Sequence, residues 1–212
     1  MASSPPTIFT TTSLFSLIGV TVVGVVAHTA SKLLLPKNAS AKDRFTFIWL
    51  AFDAMIHFSF EGSFLYLSVF GRQVNTSTGP FAEMWREYAA ADFRWGNADP
   101  GIVSLEILTV LGAGPMCCYI LKQLVNNDPA RHYWIVVLST AELYGGWMTF
   151  CPEWLTGSPN LVTSNWLYLW VYLVVSSLKI WVGIPFWLMY DSYQHIAGAM
   201  RLNHGPAKVK GA

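Results

Sequence analysis

The sequence predicts an all-α integral membrane protein, a bundle of five transmembrane helices enclosing an intramembrane cavity. Two observations carry that expectation. Only 12% of the 212 residues are charged while 53% are hydrophobic, with a mean hydropathy of +0.40, against about 25% charged in a soluble domain. Five apolar stretches also reach the roughly 20 helical residues that a hydrocarbon core of about 30 Å requires. A surface with so few charges excludes a water-soluble enzyme and a disordered tail, and a net charge of +1 gives no electrostatic footing for nucleic acid.

The stretches run over residues 8–27, 45–70, 102–124, 134–150 and 166–190. The first has no Lys or Arg before it and no small-residue cleavage site after it, so it is expected to be a retained helix and not a signal peptide. A basic loop separates it from the second, and residues 71–101 form the one long connection. Within that connection 81–95 mixes aromatics with Glu83, Arg86, Glu87, Asp92 and Arg94, a pattern expected to lie as a helix at the interface, with a cap over the cavity as the alternative. In the fourth stretch Gly145 and Gly146 permit close helix packing and Pro152 is expected to end the helix. Cys117, Cys118 and Cys151 sit inside apolar runs as packing residues. The chain thus divides into 1–44, a first helix with its basic loop, a four-helix region over 45–191, and a basic tail over 192–212.

Orientation follows from the basic residues, which are retained on the cytoplasmic side. Lys32, Lys37, Lys42, Arg44, Lys122, Arg131, Arg201, Lys208 and Lys210 fall on one side, and Arg72, Arg86 and Arg94 on the other. The N-terminus is therefore expected to be lumenal and the C-terminus cytoplasmic. The ending Lys208-Val209-Lys210-Gly211-Ala212 matches the dilysine retrieval signal of endoplasmic reticulum residents, a pattern that also arises by chance in short basic tails. Asn75-Thr76-Ser77 is a glycosylation acceptor on the lumenal side, whereas Asn38-Ala39-Ser40 is cytoplasmic and silent.

Ionisable groups inside a membrane cost about 2.5 to 3.5 kcal/mol each on insertion scales, so those present call for a pairing or a use. His57 and Glu61 are four apart and share one helical face. Glu106, Glu142 and Lys179 lie on the next three stretches. Counting about 1.5 Å per residue, Glu61 rises about 24 Å from residue 45, and Glu106 enters about 6 to 8 Å from the opposite side, so the two carboxylates meet at similar depth. Alone, each would read as a structural ion pair, a snorkelling side chain or a packing histidine; their convergence points to function. Lys179 reads first as such a paired or snorkelling group, and second as a cation in the site.

A carboxyl in an apolar pocket keeps its proton to neutral pH, while a second, held ionised by His or Lys, faces a developing cation. Aromatic faces stabilise that cation further. The set suits acid-catalysed alkene chemistry, in which one group protonates a double bond and a neighbour removes a different proton with water excluded. No His-Glu-x-x-His run supports a zinc peptidase, and a haem held by two of His28, His57, His132 and His195 has less behind it. No metal and no cofactor are expected.

The run Ile56-His57-Phe58-Ser59-Phe60-Glu61-Gly62, then Met84-Trp85-Arg86-Glu87-Tyr88, Asp92-Phe93-Arg94-Trp95, Ser104-Leu105-Glu106, Glu142-Leu143-Tyr144-Gly145, and Trp181 before Pro185, closely resembles the emopamil-binding protein family of the EXPERA fold. The resemblance covers 45–191. It implies a five-helix protein of the endoplasmic reticulum membrane, often a homodimer, with membrane lipid around it and a sterol or other hydrophobic small molecule as substrate. The implied activity is Δ8 to Δ7 isomerisation, with His57, Glu61 and Glu106 facing the substrate. Glu61 would oppose a C8 carbocation, and His57 and Glu106 would handle the protons at C9 and C7. Trp181 matches a tryptophan that stacks on the cation and Tyr144 a pocket tyrosine, with Glu142 and Lys179 as further substrate contacts. Two departures bear on the substrate: Leu178, or Ser177 with a one-residue gap, stands where the family carries an asparagine, and Lys179 is unusual at that depth. They favour, as alternatives, another acid/base isomerisation or cyclisation of a terpenoid or polyketide, or a lipid- or amine-binding protein without turnover.

Overall fold

The computed structural model describes residues 10–166, 168–170 and 180–204. Among these the chain is helical, with one isolated bridge between Asp92 and Leu161. Helix α1, Thr11–Leu34, begins where the Thr10 hydroxyl accepts from the Ser13 N–H at 3.1 Å, and Pro36 follows its end. It runs past residue 27, the expected end of the apolar stretch, through the polar His28–Lys32 turn to Leu34. Its outward Leu14, Phe15, Leu17, Val22 and Val25 are exposed, a surface suited to lipid and unsuited to water.

Helix α2, Ala41–Ile56, is capped by Ser40 accepting from the Asp43 N–H at 3.0 Å. Arg44 donates to the Ser31 carbonyl at 2.9 Å and so ties α2 to the end of α1. The rod continues through a widened π-helical turn, His57–Glu61, into α3, Gly62–Ser68. A second rod repeats the design: Asp99 caps α5, Pro100–Leu108, a π-helical turn covers Thr109–Ala113, and α6 spans Gly114–Val125. Between the rods lies α4, Pro80–Ala89, entered at Gly79, whose φ of +102° suits glycine. Then come α7, Arg131–Leu155, and α8, Trp181–His204.

Helices α1, α2, α6, α7 and α8 enclose one core, including Ala27, Phe47, Leu50, Cys117, Leu138 and Leu188. A second core, with Phe64, Trp85, Trp95 and Ile102, joins α3 and α5 to the long connection. Helices Thr11–Leu34 and the rod Pro100–Val125 are each long and apolar enough to cross a membrane by length and composition.

Three expectations change. Pro152 does not end its helix: α7 continues to Leu155, since only one further turn remains to lose its bond. The tail begins as helix, because α8 runs on to His204; the dilysine-like ending lies outside the described residues. The 81–95 segment is no single interfacial helix. Helix α4 gives way to a short 3-10 turn at Phe93–Trp95, and its tryptophans turn inward, the Trp85 and Trp95 rings stacking at 5.1 Å and the Trp85 indole donating to Ser63 at 2.9 Å. Thr10 and Ser13 donate to Glu87, which fastens α1 to this segment. Arg94 grips Asp92 at 2.7 Å and the Thr149 carbonyl at 2.7 Å, and lies 3.7 Å from Glu153, so the segment is also bound to the end of α7.

Candidate active site

The two π-helical turns pack against each other. A turn closed by i→i+5 bonds is rare and recurs at functional sites. Here it brings positions four apart nearer to eclipsing, and His57 and Glu61 meet with Nδ1 to Oε2 at 2.5 Å. Across the interface Glu106, buried at the last turn of α5, accepts from the Thr109 hydroxyl at 3.1 Å and turns its carboxyl toward Glu61. The approach is possible because residue 114 is glycine: a Cβ there would sit 3.0 Å from the Phe58 ring and 3.3 Å from the His57 Cβ. The structure thus brings His57, Glu61 and Glu106 together.

Behind His57 stands a carboxylate that the sequence reading did not single out. Asp53 is 2% exposed, and its Oδ2 lies 3.3 Å from His57 Nε2, off the line of a hydrogen bond, and 3.3 Å from Cys117 Sγ, whose thiol donates to it. Its position four before His57 extends the 57–61 spacing by one more turn, a signal visible in the sequence. Glu142 of α7 lies against Asp53, with both its oxygens shielded from solvent and without a hydrogen-bond partner among the described residues. The site therefore gathers one histidine and four carboxyls from α2 and its π turn, α5 and α7.

The remaining predicted residues spread wider. Trp181 meets Trp49 edge-on at 4.7 Å and lies 6.3 Å from Phe52, so it packs on α2 at least a turn away from His57. Tyr144 stands 63% exposed on α7, two positions from Glu142. Lys179, with Leu178, lies outside the described residues. A groove of about 340 Å³ lined by Phe45, Gly183, Ile184 and Trp187 opens between α2 and α8, away from the carboxyl cluster.

Among the described residues two trios place metal-ligating atoms within 4.8 Å of one another: Asp53, His57 and Cys117, and His132, Asp191 and His195. In the first, Asp53 is already engaged by both its neighbours. In the second, Lys42 holds Asp191 at 2.5 Å, a cation where an ion would need a free carboxylate, and the two imidazoles stack face to face at 4.1 Å.

The chemistry available is proton transfer in an apolar setting. A histidine between carboxyls can carry a proton on either nitrogen, and a carboxyl opposite it can give or take one. Known proteins similar to the chain include named isomerases. The chain is 27% identical over 206 residues to the 3-beta-hydroxysteroid-Delta(8),Delta(7)-isomerase of Rattus norvegicus, covering 97% of this chain and 87% of the relative. It is 28% identical over 165 residues to the probable enzyme of the same name from Oryza sativa, covering 78% and 73%. It is 26% identical over 178 residues to protoglabretal synthase of Citrus sinensis, covering 84% and 82%. Residues 80–192, more than half the chain, match the EBP family, and the chain belongs to this family, EXPERA, the expanded EBP superfamily.

Proposed function

We propose that the chain is a membrane isomerase that moves a ring double bond from Δ8 to Δ7 in a sterol or sterol-like terpenoid. One observation carries the reading: the His57–Glu61 pair and the Glu106 carboxyl converge across two packed π-helical turns. The similarity to named sterol isomerases over most of the chain supports it. An acid delivers a proton to C9, the former π pair becomes the new C–H bond, and the cation is left at C8. Loss of the C7 proton returns that bonding pair as the C7–C8 double bond. The protein ends with as many protons as it began, so the side chains suffice and no cofactor is called for.

In this reading Glu61 opposes the C8 cation at close range, where low dielectric makes its charge most effective. His57 and Glu106 divide the two proton transfers. Trp181, packed on Trp49 and Phe52 about 13 to 18 Å along the helix from Glu61, contacts the body of the substrate and not the cation, and Tyr144 and Lys179 complete the substrate contacts, with Glu142 acting through Asp53. Exclusion of water by the 81–95 segment, acting as a cap, and by the bilayer prevents capture of the cation as an alcohol. The setting is a five-span protein of the endoplasmic reticulum, N-terminus lumenal and C-terminus cytoplasmic, forming a homodimer.

A second reading is an isomerisation or cyclisation of another terpenoid by the same groups. The match to protoglabretal synthase and the departures at Leu178 and Lys179 favour it. Incubating the purified protein with a Δ8-sterol in deuterated water separates the two. A Δ7 product carrying one deuterium supports the sterol reading, and unchanged sterol in the presence of folded protein overturns it.

A further inference from the structure

Asp53 is a buried acid on an apolar helix, and burying an ionised carboxylate without compensation costs several kcal/mol. Three groups from separate elements surround it: His57 from the π turn, Cys117 from α6 and Glu142 from α7. Glu142 brings two shielded oxygens with no donor of their own among the described residues. Two carboxyls side by side can hold one proton between them, which satisfies both and leaves the pair with a single negative charge. That charge faces the ring nitrogen of His57 opposite the one that Glu61 occupies.

We propose that Asp53 is a positioning residue for the isomerisation: its charge, 3.3 Å from Nε2, pairs with the His57 imidazolium and keeps Nδ1 aligned on Glu61, with Glu142 supplying the proton that lets Asp53 remain buried. The imidazole then has a carboxylate at each end and one ring orientation. Without the anchor the ring can turn about its side-chain bonds, and the 2.5 Å alignment with Glu61 is lost. This rests on the isomerase reading for its kinetic consequence, though the anchor itself is a structural claim that can be read without any substrate.

The test uses the full chain in lipid nanodiscs with 15N-labelled histidine. Wild-type protein should show two ring N–H signals from His57, the Nδ1–H strongly downfield, both absent in His57→Ala. Asp53→Asn should move or remove the Nε2–H signal and shift the Nδ1–H signal upfield as the alignment on Glu61 is lost. Unchanged ring signals in Asp53→Asn, or no proton on Nε2 in the wild type, would overturn the proposal. In turnover, Asp53→Asn should lower kcat about 10- to 100-fold with KM within about threefold, the scale expected of a catalytic group displaced by up to about 1 Å. Asp53→Glu should recover part of the loss. In a His57→Ala background Asp53→Asn should have no further effect on the residual rate, because the two act through one ring; an independent, additive loss would mean a structural role only and would overturn the assignment. If no Δ8-sterol is turned over by the wild type, the isomerase reading fails while the ring signals still decide whether Asp53 anchors His57.

Discussion

Replacing Gly114 by alanine tests whether the contact between the two π-helical turns shapes the site. The new methyl would lie 3.0 Å from two carbons of the Phe58 ring and 3.3 Å from the His57 Cβ, so the neighbours must give by a few tenths of an ångström. The half-exposed Phe58 ring can swing aside; the His57 Cβ is fixed to its helix. Overpacking of this kind costs about 1–3 kcal/mol. Alanine also gains about 1 kcal/mol over glycine in helix propensity, which masks part of the cost. Gly112→Ala removes that ambiguity, since Gly112 lies in the neighbouring π turn, gains the same propensity, and has nothing within 4 Å of the place its new methyl would take. The two variants should therefore differ by about 1–3 kcal/mol, roughly 2–12 °C in thermal midpoint for a chain of this length. With 1 Å of misplacement costing about 100-fold, a shift of a few tenths should lower kcat in Gly114→Ala about three- to tenfold. The assay is a paired thermal melt and initial-rate measurement in the same detergent. Equal midpoints and equal kcat in the two variants would refute the claim that the close approach at Gly114 sets the geometry of His57.

Three further outcomes are expected. Glu61→Gln keeps shape and removes charge, so turnover should fall at least about 1000-fold with the fold intact, and a cationic amine that mimics the carbocation should bind more weakly; unchanged amine affinity would remove Glu61 from its counter-charge role. Arg94→Met leaves Asp92 and Glu153 buried without their cation, which should destabilise the protein by about 3 kcal/mol in thermal unfolding, and an unaltered melt would show that this cluster does not hold the 81–95 segment. Asn75, exposed in the long connection, should accept a glycan in microsomes, while Asn38 should not; modification of Asn38 alone would invert the proposed topology.

The apolar character of the chain and the runs that build its rods were legible in the sequence because composition and length declare them directly. Ser40 and Asp99 cap helices through bonds spanning two or three residues, a local signal that the sequence reading left unused. The pairing of His57 with Glu61 is equally local, and the depth of Glu106 follows from rise per residue. Asp53 obeys the same four-residue spacing, yet its meaning depends on Cys117 and Glu142, which are far away in sequence.

Tertiary structure decided what depends on how one helix is rotated against another. No periodicity announces that the rods widen at His57–Glu61 and Thr109–Ala113, nor that these turns face each other through Gly114. The inward turn of Trp85 and Trp95 was equally hidden: an amphipathic pattern identifies an apolar face, and the choice between lipid and protein as its partner is made by Phe64 and Ser63 on α3. Spacing along a chain is set by covalent geometry, which the sequence states outright; the partner across a helix interface is set by packing among side chains distant in the sequence, and only the folded chain supplies it.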